Sequence, residues 1–181
     1  RALPLASLTR EELANSKPDP ALHRKTVEAK IGDVDAFASH SWSDDGNVKF
    51  DKLHEWAAGQ SRLLWLDKAC IDQLNIDESL ACLPVFLAGC NQLLVLAGPS
   101  YPSRLWCVME LFVFIQMNGK REDIVLKLLD GSADLARSLQ HFDAAKAKCF
   151  LDRDKQSLWA VIEASFGTFA PFNTAVRGIF V

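Results

Sequence analysis

The chain has 181 residues, 49% of them hydrophobic and 24% charged, with a net charge of −3 at pH 7. That length suits one domain plus an appendage, with enough apolar residues for a full core. The mild acidity and the absence of a basic stripe argue against nucleic acid as the main partner. The five cysteines (Cys70, Cys82, Cys90, Cys107, Cys149) lie within or beside apolar runs and lack the short paired spacings of a zinc site. They read as free thiols of a reducing compartment, the cytoplasm.

Residues 1–32 read as a helical N-terminal extension. Thr9 and Glu12 fit a capping box, Lys17–Pro20 is a breaker, and Asp19 suits the cap of a second helix running to about Lys30. The domain proper spans residues 33–181. Its predicted strands are Val34–Ser39, Arg62–Asp67, Gln92–Ala97, Asp123–Leu129 and a short fifth, Lys148–Leu151. Between them lie helices at Val48–Ala58, where Phe50, Leu53 and Ala57 recur at helical spacing, and at Glu78–Gly89, Leu105–Met117 and Ala133–Ala144. Two more helices, Asp154–Phe166 and Phe172–Ile179, close the chain. The apolar stretch Leu80–Gly98 is broken by Pro84, Gly89, Asn91 and Gln92. It reads as a buried helix and strand, not a membrane span.

Strands alternating with helices, and apolar almost throughout, predict a parallel sheet covered on both faces. The expected fold is an α/β three-layer sandwich, flavodoxin-like, with a five-stranded parallel sheet in the order 2-1-3-4-5. In that order the first and third strands adjoin at the switch point, where open α/β sheets bind ligands. The loops meeting there would be His40–Gly46 and Gly98–Arg104.

Three features there carry chemistry. Glu110 is the only charged residue between Leu105 and Met117. A carboxylate on a helix apolar on nearly every side must find a partner, shift its pKa or face a cleft. Trp106 stands one turn earlier on the same face, so an indole and a carboxylate could stack a flat ring and oppose a developing cation, as glycosyl transfer requires. The structural alternative is an ion pair with Arg104 or Lys68. The loop Ser39-His-Ser-Trp-Ser-Asp-Asp-Gly46, with His40, Ser41, Trp42, Ser43 and Asp44 at its centre, could hydrogen-bond a ribose or phosphate, or Ser43 or Asp44 could cap the next helix. Asp67 ends the second strand at the same sheet edge and could bind a ligand, orient Lys68, or close a structural turn. Cys107 with His40 could form a thiol–imidazole pair, but a core cysteine is the commoner outcome. No Gly-rich dinucleotide fingerprint or Walker loop is present, which leaves little support for hydride transfer or a P-loop NTPase.

These motifs resemble a known family. Asp35-Ala-Phe-Ala-Ser-His-Ser-Trp42 looks like the opening strand and loop of TIR (Toll/interleukin-1 receptor) domains. Tyr101, Ser103, Trp106, Cys107, Glu110 and Leu111 match a Tyr-x-x-Ser-x-Trp-Cys-x-x-Glu-Leu pattern of that family, with Ser103 one place early. Trp65-Leu-Asp-Lys-Ala-Cys-Ile-Asp-Gln73 is similar to a motif of fungal heterokaryon-incompatibility domains, regarded as distant TIR relatives. The resemblance covers about Asp33 to Leu151. The chain has Leu74-Asn-Ile-Asp77 where TIR domains usually carry a glycine in a loop that governs self-assembly.

The resemblance implies an NAD+ glycohydrolase that cleaves the nicotinamide–ribose bond in defence or cell-death signalling. NAD+ would be substrate, with no cofactor or metal. Glu110 would be catalytic. His40, Ser41, Trp42, Ser43, Asp44, Asp67, Ser100, Tyr101 and Trp106 would line the substrate site. It also implies self-association or pairing with other TIR-like domains. Many TIR domains are adaptors without activity, so a non-catalytic interaction module is the alternative.

Overall fold

The computed structural model describes residues 1–71, 82–117, 119–129, 135–149 and 152–179. Its centre is a five-stranded sheet of β1 (Leu3–Pro4), β2 (Val34–His40), β3 (Leu63–Trp65), β4 (Cys90–Ala97) and β5 (Ile124–Leu128), in the order β1-β3-β2-β4-β5. The four longer strands are parallel and take the expected relative order. β2 and β4 are the central pair, in register from Val34↔Cys90 to His40↔Leu96. Both are buried over most of their length, as strands covered on two faces must be.

The two ends of the sheet correct the expected all-parallel order. The extension, read as helical, opens with β1, which pairs antiparallel with β3 through Leu3↔Leu64 and Pro4↔Leu63. The sheet is therefore mixed. This pairing satisfies the outer edge of β3 and buries Leu3 and Leu5, a gain that outweighs the lack of any strand signal in so short a run. The expected fifth strand does not extend β5. Lys148 makes an isolated parallel bridge to Arg104, with Lys148 N–H donating to Ser103 O and Leu105 N–H to Lys148 O. This segment clamps the loop ahead of the Glu110 helix instead. Phe150 and Leu151 lie outside the described residues, as do Leu74–Asp77 and the start of the helix expected from Glu78.

The helices are α1 (Arg10–Ala14), α2 (Gly46–Ala57), α3 (Asp67–Cys70), α4 (Leu83–Ala88), α5 (Leu105–Gln116), α6 (Leu135–Leu139), α7 (Asp152–Phe166) and α8 (Phe169–Arg177). The Thr9–Glu12 capping box forms at α1. Asp19 caps as expected, but the turn it opens is a 3-10 helix, Pro20–Lys25, that ends well before Lys30. Two apolar clusters sandwich the sheet. One joins Phe37, Leu93 and Val95 to α5, α7 and α8; the other joins Ala36, Leu94 and Leu96 to α2 and the N-terminal segment. No helix among the described residues is long and apolar enough to cross a membrane.

Gly46 sets how closely the extension approaches. A Cβ there would lie 2.3 Å from Ala14 Cα and 2.5 Å from Leu13 O, so α1 touches α2 backbone to side. Glycine to alanine in a helix ordinarily stabilises by about 1 kcal/mol. Here Gly46→Ala is expected to destabilise by about 1–3 kcal/mol through overpacking. A urea midpoint equal to or above that of the parent protein would refute this close packing.

Candidate active site at the carboxyl edge of the sheet

The loops after β2 and β4 meet as expected. Ser100 N–H donates to Asp44 Oδ1 at 3.0 Å, and Ser100 Oγ donates to Ser41 Oγ at 2.7 Å. Gly98 makes this approach possible, because a Cβ there would fall 2.3 Å from Asp44 Cγ. Asp44 is not the helix cap. Asp45 fills that role, accepting from Asn47 and Val48 N–H. Asp44 is instead buried against Gly98, and its Oδ2 has no hydrogen-bond partner in the described structure. Ser43 is exposed, and its N–H donates to Ser41 Oγ.

Asp67, where β3 gives way to α3, gathers the polar groups at the rim. Trp42 Nε1–H donates to Asp67 Oδ2 at 2.7 Å, Lys68 N–H to Oδ1 at 2.6 Å, and His40 Nε2 lies 3.2 Å from Oδ1. Burial pushes this carboxyl up, but the bonds from His40, Trp42 and Lys68 outweigh it and hold it below the usual range. Behind His40 sits Lys49, 1% exposed, whose ammonium donates to Ser41 O at 2.8 Å and approaches His40 Nδ1 at 3.4 Å. An ammonium only donates and a carboxylate only accepts. The geometry is therefore satisfied by the His40 tautomer that accepts at Nδ1 and donates from Nε2. Burial draws Lys49 down to about 8, against the pull of Asp44 and Asp67.

Glu110 lies on α5, 9% exposed. Its Oε2 is 2.5 Å from Ser39 Oγ, which is 2.8 Å from the Tyr101 hydroxyl; that hydroxyl lies 3.2 Å from Cys107 O. Burial, helped by the negative charge of Asp67, pushes Glu110 up to about 8, and the Ser39 contact pulls the other way. The ion pair weighed as its structural alternative does not form. No cation pairs with Glu110 among the described residues, and the Lys68 ammonium donates to the carbonyls of Glu12 and Asn15. Both nitrogens of His40 are engaged by Asp67 and Lys49, and burial drives the Cys107 thiol far up, so Cys107 is no nucleophile.

The structure thus joins Glu110, Asp67, His40, Ser41, Trp42, Asp44 and Ser100 at one sheet edge. Tyr101 is 0% exposed and reaches the site only through Ser39. Trp106 is half-buried against the large apolar cluster, one turn before Glu110. One functional candidate escaped sequence reasoning, Lys49; Ser39, read as the first residue of the ligand-contacting loop, lies at the end of β2 and donates to Glu110 instead. Lys49 shares the buried α2 face with Leu53 and Ala57, and that four-residue spacing was its available signal. Two carboxyl groups whose surroundings drive them in opposite directions, Asp67 down and Glu110 up, form the pattern of a divided acid–base pair. No family model matches this chain, and no curated protein sequence matches it.

Proposed function

We propose that the chain is a TIR-like NAD+ glycohydrolase with Glu110 as its catalytic residue. The observation that carries the reading is the buried Glu110 carboxyl, unpaired with any cation among the described residues, beside two loops whose hydroxyls, carboxylates and indole line the same edge. In the reaction the C1′–N bond breaks with its electron pair passing to the pyridinium nitrogen, and neutral nicotinamide leaves. The Glu110 carboxylate opposes the oxocarbenium carbon. Water adds through oxygen and gives up a proton, yielding ADP-ribose. Asp67 adds negative potential, and His40 and Trp42 hold it in place. NAD+ is the substrate, no cofactor takes part, and the setting is cytoplasmic defence or cell-death signalling.

Purified protein at high concentration is expected to release nicotinamide from NAD+, and Glu110→Ala to lower the rate by roughly 100- to 1,000-fold or more, as loss of a charge-stabilising group does. Equal rates for the two proteins would sink the reading. Burial of Glu110 favours a second reading, a non-catalytic module that assembles with copies of itself or other TIR-like domains. Concentration-dependent oligomers in light scattering, without nicotinamide release, would establish it; a monomer at every concentration would remove it.

A further inference from the structure

Lys49 shares a helix face with the core residues Leu53 and Ala57 and is 1% exposed. A buried ammonium is costly unless a carboxylate pairs with it, and none bonds it among the described residues. Its contacts go instead to Ser41 O at 2.8 Å and His40 Nδ1 at 3.4 Å. Ser41 O also accepts from Asp44 N–H at 3.3 Å, so Lys49 pins the turn that carries Trp42. From His40 the contacts run on. Nε2 lies 3.2 Å from Asp67 Oδ1, and Asp67 Oδ2 accepts from Trp42 Nε1–H at 2.7 Å. The path leaves α2, crosses the end of β2 and the head of α3, and returns to the loop after β2. Trp42 is thus held twice, through its backbone neighbour Ser41 and through its indole, and Lys49 stands at the origin of both holds.

We propose that Lys49 is a positioning residue: it keeps His40 in the tautomer with a bare Nδ1 and a donating Nε2, and through His40 and Asp67 it fixes the Trp42 indole as a stacking platform for a planar ring of the ligand. The planar ring rests on the glycohydrolase reading, whose substrate carries a pyridinium; the hold on His40 and Trp42 does not. The charged groups around the ammonium agree with this assignment. Asp44 from the loop after β2 and Asp67 from the β3–α3 junction attract it, the Lys68 ammonium of α3 opposes it, and burial keeps the Cys107 thiol of α5 neutral. The same heavy atoms also fit a neutral lysine accepting from a His40 imidazolium. The two arrangements differ by one hydrogen on Nδ1, and an amine holds its proton more tightly than an imidazole does, which leaves Nδ1 bare. The Trp42 indole is half-buried, with the Lys68 ammonium 5.8 Å from its ring centre. An aromatic ring that keeps exposed surface while its N–H and its backbone are tied down has already lost the freedom that binding would otherwise cost it.

Nitrogen-15 spectra of histidine- and tryptophan-labelled protein read the two side chains directly, with His40 and Trp42 assigned from His40→Asn and Trp42→Phe. At pH 7 the parent protein is expected to show a hydrogen on His40 Nε2 and none on Nδ1, and a Trp42 indole N–H shifted downfield by its bond to Asp67. In Lys49→Met, Nδ1 has no donor left, so His40 is expected to lose the single-tautomer pattern and the Trp42 indole N–H to move upfield. Amide spectra check that the variant folds, and the parent pattern needs no variant. A merely structural Lys49 would leave both side-chain signals in place. The ligand arm titrates the N-methylnicotinamide cation. A cation stacked on a fixed indole gains about tenfold in affinity, so Lys49→Met and Trp42→Ala should each weaken binding by about tenfold, and the double variant no more than Trp42→Ala alone. Charge alone acts with the opposite sign, since removing an ammonium strengthens the binding of a nearby cation. A Nδ1–H tautomer or an imidazolium in the parent, unchanged His40 and Trp42 signals in Lys49→Met, or cation binding that stays equal or tightens in that variant would each overturn the proposal. A parent protein that neither binds the cation nor turns over NAD+, with the side-chain signals as expected, would overturn the glycohydrolase reading and the planar-ring ligand with it, while the hold of Lys49 on His40 and Trp42 would stand.

Discussion

Replacing Glu110 by glutamine is expected to flatten a fall in stability that the parent protein shows between pH 4.5 and about 8. The unfolded glutamate titrates near its usual 4.5, whereas the folded one is pushed up to about 8 by burial and by Asp67. In that window the native state holds the proton and the unfolded state does not, so the slope of unfolding free energy with pH is negative. The stabilising contribution is complete below 4.5 and is lost as the pH rises through 8. Each pH unit in between weakens the fold up to tenfold, for a total on the order of 4 kcal/mol. Glutamine keeps the shape and a donor toward Ser39 but cannot ionise. The variant should match the parent at pH 4.5 and exceed its stability by several kcal/mol at pH 8. Asp67, Glu12 and Glu55 have depressed values and act with the opposite sign at more acid pH, equally in both proteins. The difference between two urea-denaturation series across pH isolates Glu110. A difference that does not vary with pH would show that the carboxyl is ionised in the native state.

The second large effect concerns the C-terminal helices, which lie beyond the family resemblance. Phe172 on α8 is 0% exposed. Its ring meets Phe112 of α5 at 5.0 Å, Phe166 of α7 at 5.6 Å and Phe142 at 6.1 Å, all edge-on. Hydrogen bonds tie the same region down: Asn173 Oδ1 accepts from Ala144 N–H, Arg177 donates to Phe142 O through Nε and Nη2, and Trp159 Nε1–H donates to Ala144 O. These helices cover the back of α5, the element that carries Glu110. Phe172→Ala removes the central ring of this cluster and leaves a cavity, so it should cost about 3–5 kcal/mol. The loss should appear in one cooperative denaturation transition. A cost below about 1 kcal/mol, or a separate early transition for α7 and α8, would mean that these helices are appended rather than part of the core.

Much of the layout was legible because the strands are apolar runs punctuated by turn residues. Val34–His40 and Cys90–Ala97 could hardly be anything but central strands, and Leu105–Gln116 is helical with no internal breaker. From there the meeting of the His40 and Gly98 loops followed. What escaped notice had non-local causes. β1 is two residues long and gains its identity only from the edge of β3. Lys148 resembles the start of a strand in composition, yet its partner is Arg104 in the loop ahead of α5. Lys49 is a lysine on a polar-looking helix, and its burial depends on His40 and Ser41 arriving from β2. Ser39 reads as the start of a ligand-contacting loop; that it meets Glu110 instead appears only when Tyr101 and Glu110 converge on it from positions 62 and 71 residues away.

The two margins of the sheet differ in kind. On one side stands β1, only Leu3 and Pro4, and proline has no N–H to offer a further strand. That margin is blunt. On the other stands β5, five residues long, with Leu126 and Leu128 40% and 46% exposed and no strand paired to its outer side among the described elements. Among the described elements, β5 is therefore the margin whose outer backbone groups face no further strand, and its exposed leucines alternate with Lys127, a charged residue of the kind that discourages edge-to-edge pairing.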